Sequence, residues 1–553
     1  MYVESKEIAT PTPGTTGAEL LETCAPELSA AAVAANLDNE IHDLQNPVDG
    51  CHNLTFVRLD SAEGWDVYRR SVIFLLITAV HELDPAAEVT VDFSANGGLF
   101  IEVRGVAGGL TAEGVQKIEA KMRAIVAEDR SIVKSFLPRD EAVRIFKQAK
   151  AIEKANLIAA LSQETVSIYR CGDYADYLYG AMLGHTGALG RFALDFFAPG
   201  LLLRTPSVET RGDVPPAKPQ PKLNHVLTEA KRWADILHCD YVTDLNRAHR
   251  NGQIGDIIRV SEALQEKKIA EIADHIAARR GELRLILIAG PSSSGKTSFA
   301  QRLRIQLRVN GLEPVAISLD DYFCNRRDTP RTPEGAYDYE ALEALEALDV
   351  PLFNEQMVKL LRGEEVELPY YNFLTGEREW GHHAPFSIAE NQPIIIEGIH
   401  GLNEKLSAAI PREKKYKIYI SALTQLNVDA HNRIPTTSAR LVRRLVRDYQ
   451  FRGSSALKTL RQWPDVRKGE EQHIFPFQED ADVMFNSALI YELGVLKKYA
   501  KPLLEAVPPE VPEHIMARKL LDFCAYFDNI LEEDEIPNNS LLREFIGKSV
   551  FFK

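Results

Sequence analysis

Cysteine is scarce. Six are spread over 553 residues (Cys24, Cys51, Cys171, Cys239, Cys324 and Cys524), and no two stand in a C-x-x-C spacing. That excludes a disulfide framework or a zinc knuckle as the organising feature and points to a reducing cytoplasm. Long apolar runs are missing too. The longest, Val72 to Val80, is about half of the ~20 residues a membrane-spanning helix needs, so it reads as a buried helix of a soluble chain that does not engage a membrane. The opening MYVESKEIATPTPG has neither the basic nor the apolar region of a signal peptide. Positive charge is also in deficit: 64 Lys and Arg stand against 79 Asp and Glu, a formal net charge of −15. A passive nucleic-acid coat is therefore excluded, although a local basic channel is not. Nor is there an internal repeat with a period of about 20–50 residues.

What is present fits a globular protein of several cores, since 553 residues exceed what one hydrophobic core organises. Residues 1–62 read as a small mixed domain, with turn-rich PTPGTTG, helix-like AELLETCAP and short strands around VAANLDNE and NLTFVRL. Residues 63–205 begin with the helical SVIFLLITAVHEL. The strand EVTVDFS, a Gly-Gly turn and LFIEVRG follow, then helices from Ala112 to Leu161. A second β-like region lies around SIYRCGDYADYLY and ALDFFAPGLLLRTP. Residues 206–280 combine a Pro-rich linker, VPPAKPQPK, with a charged helical connector. Residues 281–500 carry the chemistry, and 501–553 form a C-terminal helical tail.

LRLILIAGPSSSGKTSFAQRL matches G-x-x-x-x-G-K-[ST] at Gly290, Gly295, Lys296 and Thr297. A continuous apolar run precedes it, as in a buried parallel strand, and a helix-forming stretch follows, so context agrees with motif. Gly290 and Gly295 let the backbone wrap phosphate oxygens, and the helix start offers unpaired N–H groups. The candidate nucleotide-binding set is Gly290, Ser292, Ser293, Ser294, Gly295, Lys296, Thr297 and Ser298. Lys296 is expected to reach the β/γ-phosphates of ATP, and Thr297 to offer its hydroxyl to Mg²⁺.

Two further apolar strands end in acids. PVAISLDDYF brings Asp320 or Asp321 to the crevice at the carboxyl ends of a parallel sheet, to take a proton from an attacking hydroxyl or to hold Mg²⁺ through water. QPIIIEGIHGL ends in Glu397, which suits the carboxylate near Mg²⁺. In SARLVRRLVRDYQFRG, Arg440, Arg443, Arg444 and Arg447 fall on one helical face, with Arg452 beyond. Taken alone this is a solvated charged helix; beside a phosphate loop it reads as a lid whose guanidinium groups neutralise transferring phosphate.

From about Leu283 to Tyr499 the chain resembles the uridine kinase and phosphoribulokinase family of P-loop kinases. GPSSSGKT, SLDDYF, YDYEALEALD, LPYYNFLTGER, IIIEGIHGL and the arginine stretch occur in the family's order. The resemblance implies that Asp320 rather than Asp321 is the catalytic base, that Asp338 holds ribose hydroxyls, and that Tyr371 and Phe373 line the nucleoside pocket. It places Arg440, Arg444 and Arg447 among the lid and substrate arginines, Arg444 as a catalytic one. One departure stands out: Gly376 occupies the place of a histidine that reads the pyrimidine edge.

The first two hundred residues resemble the N-terminal half of threonyl-tRNA synthetases, a ubiquitin-like TGS domain followed by an editing-type domain. The aligned positions of that domain's two H-x-x-x-H histidines, its cysteine and its later histidine are Arg70, Phe74, Leu178 and Met182. None is a usual zinc ligand, so neither a metal nor hydrolytic editing is carried over. His81 and His185 nearby read as helix-surface and turn residues.

The expected fold is therefore an α/β kinase domain with a parallel sheet, preceded by a β-grasp-like TGS domain and an α+β editing-like domain. The expected activity is ATP- and Mg²⁺-dependent phosphorylation of a nucleoside 5′-hydroxyl. A kinase of another small alcohol is the first alternative, and a nucleotide-switched RNA-binding regulator the second. RNA, the kinase domain itself and a second copy of the chain stand as candidate partners.

Overall fold

Thr16 and Glu19 cap each other's backbone and so start the helix Gly17–Cys24, where AELLETCAP predicts one. In the computed structural model, which describes residues 1–161, 163–328, 344–372, 374–424 and 426–552, Leu20 and Leu21 of this helix pack on Val3, Ala35, Leu54 and Phe56. Those residues belong to a five-stranded mixed sheet in which Tyr2–Val3 runs parallel to Asn53–Arg58. Next, Ser61 caps the helix Ala62–Leu83, buried without interruption from Ser71 to Val80. An apolar stretch too short for a bilayer is covered here by protein: the strands Glu88–Ala95, Gly98–Arg104, Ala193–Phe197 and Gly200–Arg204 form one antiparallel sheet sharing its core. The first two join through Asn96 and Gly97, both at positive φ (55° and 80°), the geometry of a two-residue hairpin turn.

The span expected to be helical from Ala112 to Leu161 contains a strand, Val133–Pro138, paired antiparallel with Thr165–Cys171. Its side chains are mostly exposed, so it carries no apolar alternation by which to recognise it. The connector is not a loose tether. Gln220 and Asn224 bond to Asn96, and the Lys222 ammonium donates to the carbonyls of Glu479 and Ala481. Its three helices, Pro221–Leu237, Val242–Arg250 and Ile254–Ala278, thus reach both halves of the molecule.

The second half is built on five parallel strands in the spatial order Val315–Ser318, Ile394–Glu397, Leu285–Ala289, Lys415–Ser421, Val483–Asn486. Alternate residues of the central strand serve opposite faces. Ile286 and Ile288 join the helices Ile254–Ala278 and Lys296–Val309, whereas Leu285 and Leu287 meet Tyr322, Phe353 and Leu360. The LRLILIA run is apolar throughout because both faces are covered.

A single core continues across the two halves: Phe146, Leu157, Ile168 and Tyr177 from the front pack with Leu441, Leu445, Trp463 and Phe523 from the back. Polar contacts reinforce it. The buried Lys154 ammonium meets Asp176 and the His431 ring, His431 Nδ1 lies 2.6 Å from Asp176, and Asn432 bonds to the backbone of Tyr177 and Tyr179. Among the described residues no helix is long and apolar enough to cross a membrane.

Candidate active site

Three strand ends converge on one edge of the parallel sheet. After Leu285–Ala289 the chain turns at Gly290, where an added Cβ would sit 1.9 Å from the Ile420 carbonyl, so only glycine lets the loop lie this close to its neighbouring strand. Ser293 and Gly295 adopt positive φ (59° and 83°) and fold the loop back to the start of the helix Lys296–Val309, which has no side-chain cap from Gly295. The hydroxyls of Ser293 and Ser294 are buried without partners among the described residues. A closed turn with orphaned hydroxyls at a helix start fits an anion of phosphate type.

Lys296 folds its ammonium over the loop, 2.9 Å from the Gly290 carbonyl and 3.1 Å from that of Pro291. Burial pulls it below its ordinary value, against the opposing charges of Glu397, Asp320 and Glu544. Thr297 donates to Glu397 at 3.4 Å, so a hydroxyl and a carboxylate oxygen stand together as donors for a hard cation such as Mg²⁺. Glu397 is pushed up to about 7, first by loss of solvent and then by the charge of Asp320.

The two aspartates of SLDDYF part ways. Asp320 lies in the field of Lys296, Arg452 and Arg447. It remains accessible from the cleft, yet the protein around it displaces enough water to raise its carboxyl above the usual range. Asp321 instead accepts from the amide of Tyr371 at 3.3 Å and so joins the hairpin Tyr370–Asn372 and Glu377–Glu379. Tyr371 is buried against Phe323. Asp338 and Phe373, the other two acceptor-pocket expectations, lie outside the described residues.

The arginine helix Thr436–Arg452 departs from the lid expectation. Arg440 is 1% exposed and clamps Glu470 with both terminal nitrogens; Arg443 is fully buried and clamps Glu492. Each also donates to the loop, Arg440 to the Ser292 carbonyl at 3.1 Å and Arg443 to that of Ser293 at 3.3 Å. Glu470 in turn accepts from the Ser292 amide at 2.9 Å. Arg440 therefore buttresses the loop from behind: it is buried and its terminal nitrogens are engaged by Glu470 and the loop carbonyl. Arg444 reaches the Ser292 hydroxyl at 2.9 Å, and Arg447 pairs with Asp448. Both stay beside the loop with side chains 12% exposed. The sequence reading missed Glu470, Glu492 and Glu544. The last donates nothing but accepts from the amide and hydroxyl of Ser298, at 3.3 and 2.8 Å.

Gly376 has φ +74°, and a Cβ there would come within 2.7 Å of Arg326 Cβ. No histidine fits without moving that turn.

In the front half, Phe74, Leu178 and Met182 are at most 2% exposed within one apolar cluster. Arg70 donates to the Ala181 carbonyl and fills the space beside Gly180. The four aligned positions do come together in space, around hydrocarbon. From the small front domain, Asp43 inserts against them, accepting from the Tyr169 hydroxyl and the Met182 amide at 2.9 Å each. The His81 ring lies tilted against Tyr174 at 4.9 Å, and His185 lies 3.9 Å from Asp129 near the surface.

Residues 285–490 match the Phosphoribulokinase / Uridine kinase family. The front half is similar to threonine–tRNA ligases: 35% identical over 173 residues to that of Rubrobacter xylanophilus, which is 31% of this chain and 27% of the relative. With that of Rhodospirillum rubrum the identity is 31% over 257 residues, 45% of this chain and 38% of the relative. The chain thus spans about a third of the length of the curated relatives it matches. A solved structure described as a possible uridine kinase from Bacillus stearothermophilus is 21% identical, with a TM-score of 0.27, covering 40% of this chain and 98% of that one.

Proposed function

We propose, from a kinase domain joined to a synthetase-like front half, that this protein transfers the γ-phosphoryl group of ATP to the 5′-hydroxyl of a uridine- or cytidine-like nucleoside. The observation that carries the reading is the meeting of Lys296, Asp320 and Glu397 at the carboxyl edge of one parallel sheet, beside an anion-shaped loop. Lys296 and the loop amides hold phosphate oxygens. Thr297 and Glu397 are the residues that would hold Mg²⁺. When bound, ATP and Mg²⁺ supply the electrophilic phosphorus and neutralise its charge. Asp320 takes the hydroxyl proton on a carboxylate oxygen, and its raised proton affinity makes it a stronger base. Arg444 and Arg447 add fixed positive charge at the mouth of the loop, where transferring oxygens gain negative charge.

A second reading, a kinase of another small alcohol or sugar, is favoured by Gly376, whose backbone leaves no room for a base-reading histidine. Release of ADP by the purified protein against a panel of nucleosides and sugars tests both. Turnover with a pyrimidine nucleoside supports the first; turnover confined to sugars or polyols selects the second; no acceptor-dependent ADP overturns the kinase reading. The front half serves as a binding module whose partner is the kinase half. Its support is the continuous core, together with an arginine and three apolar side chains at the four positions a zinc site would need. Titration of bulk tRNA across salt concentrations tests the RNA alternative, because phosphate contacts give a steep salt slope.

A further inference from the structure

We infer that Glu544 is a resident anion of the phosphate loop, held where a nucleotide phosphate would bind, and that it sets how tightly nucleotide is taken up. The inference rests on the nucleotide reading above. Ser298 is the third residue of the helix Lys296–Val309, so its amide is one of the N–H groups that a helix leaves unpaired. It faces a carboxylate delivered from 246 residues away, which accepts from both the amide and the hydroxyl. A carboxylate there uses the same donors and the same end of the helix dipole that favour phosphate. The buried, partnerless hydroxyls of Ser293 and Ser294 mark the rest of the turn as built for an anion larger than this carboxylate.

The surrounding charge makes coexistence costly. Glu544 already acts on Lys296 and raises the proton affinity of Glu397, and a triphosphate would add its negative charges to these three carboxylates, counting Asp320. Displacement need not move the backbone. Leu541, Leu542, Phe545 and Ile546 are each at most 5% exposed, and Arg443 lies over the Phe545 ring at 5.0 Å. That burial anchors the segment Arg543–Ile546 firmly, so the side chain of Glu544 rotates away while its helix stays in place.

The test uses the full chain, with ADP as the probe, with and without Mg²⁺. Glu544→Gln keeps size and an acceptor oxygen but removes the charge; Glu544→Ala removes both. Calorimetric titration should show ADP binding tighter by about tenfold in Glu544→Gln, the scale of one charge at a helix start. In the unaltered protein, carbodiimide labelling of Glu544 should rise when ADP saturates the site, and this readout stands even if Glu544→Ala does not fold. Unchanged or weaker ADP affinity in Glu544→Gln overturns the inference, as does labelling that fails to rise. Unaltered protein that binds no ADP overturns the nucleotide reading together with it; binding that ignores Glu544 overturns this inference alone.

Discussion

The two halves are both packed α/β shells, and they treat their interiors in opposite ways. In the front half, positions 74, 178 and 182 hold apolar side chains, flanked by Asp43 and Arg70. In the back half, Lys296, Asp320 and Glu397 are crowded together at a strand edge, and buried hydroxyls are left without partners. Charges so placed are costly to a fold and useful to a reaction. The same kind of shell can thus surround apolar packing in one half and crowded charge in the other.

The contrast breaks most sharply at Lys296. Lys296→Ala should lower kcat on the order of 10³-fold or more, since it removes charge at the transferring phosphate, while circular dichroism and thermal unfolding stay near those of the unaltered protein. Near-normal ADP production would end the kinase reading. Asp320→Asn should cost about 10²–10³-fold in kcat with little change in ADP affinity, and Asp321→Asn less than about tenfold. Equal losses would mean that the wrong aspartate has been assigned.

From the front side, Phe74→His restores a histidine at a ligand position. Its imidazole would be buried among apolar side chains, so urea denaturation should show a loss of about 2–4 kcal/mol, and metal analysis should find no stoichiometric zinc. Zinc binding would show that the front half retained a site as well as a shape. The smallest effect concerns pH. Glu397 titrates at about 7 in the folded protein against 4.5 ordinarily, so between those values the native state holds a proton that the unfolded chain has released. Stability attributable to this group is therefore present at low pH and lost as pH rises from 4.5 to 7. Glu397→Gln should abolish that slope, gaining at most about 3 kcal/mol relative to the unaltered protein by pH 8. Parallel denaturation curves for the two proteins from pH 5 to 8 would contradict it.

Legibility followed distance along the chain. The phosphate loop could be read because strand, turn and helix lie within twenty-odd residues whose patterns agree. Asp320 and Glu397 could be read because each ends an apolar run. The arginine helix could be read as a helix, but helical spacing gives a shared face and not its direction. Arg440 and Arg443 point inward because Glu470 and Glu492, 30 and 49 residues further on, are folded behind them. Glu544 left no signal at all, being an ordinary glutamate in a tail with no motif. The strand Val133–Pro138 was hidden for a different reason: an exposed edge places no demand on residue type.

The turn at residues 427–433 bears on what the molecule can lose. It belongs to the back half in sequence, yet Asn427 and Ala430 bond to Val91, Arg433 to Ser94, and His431 and Asp429 share the buried ammonium of Lys154. A chain stripped of its first 205 residues would strand Asp429 and His431 without that cation and open part of the common core, and a front fragment alone would keep the Lys154–Asp176 pair but expose it to water where His431 and Asp429 now cover it. The two halves lean on one another for burial and for charge, so neither can be cut away without cost to what remains.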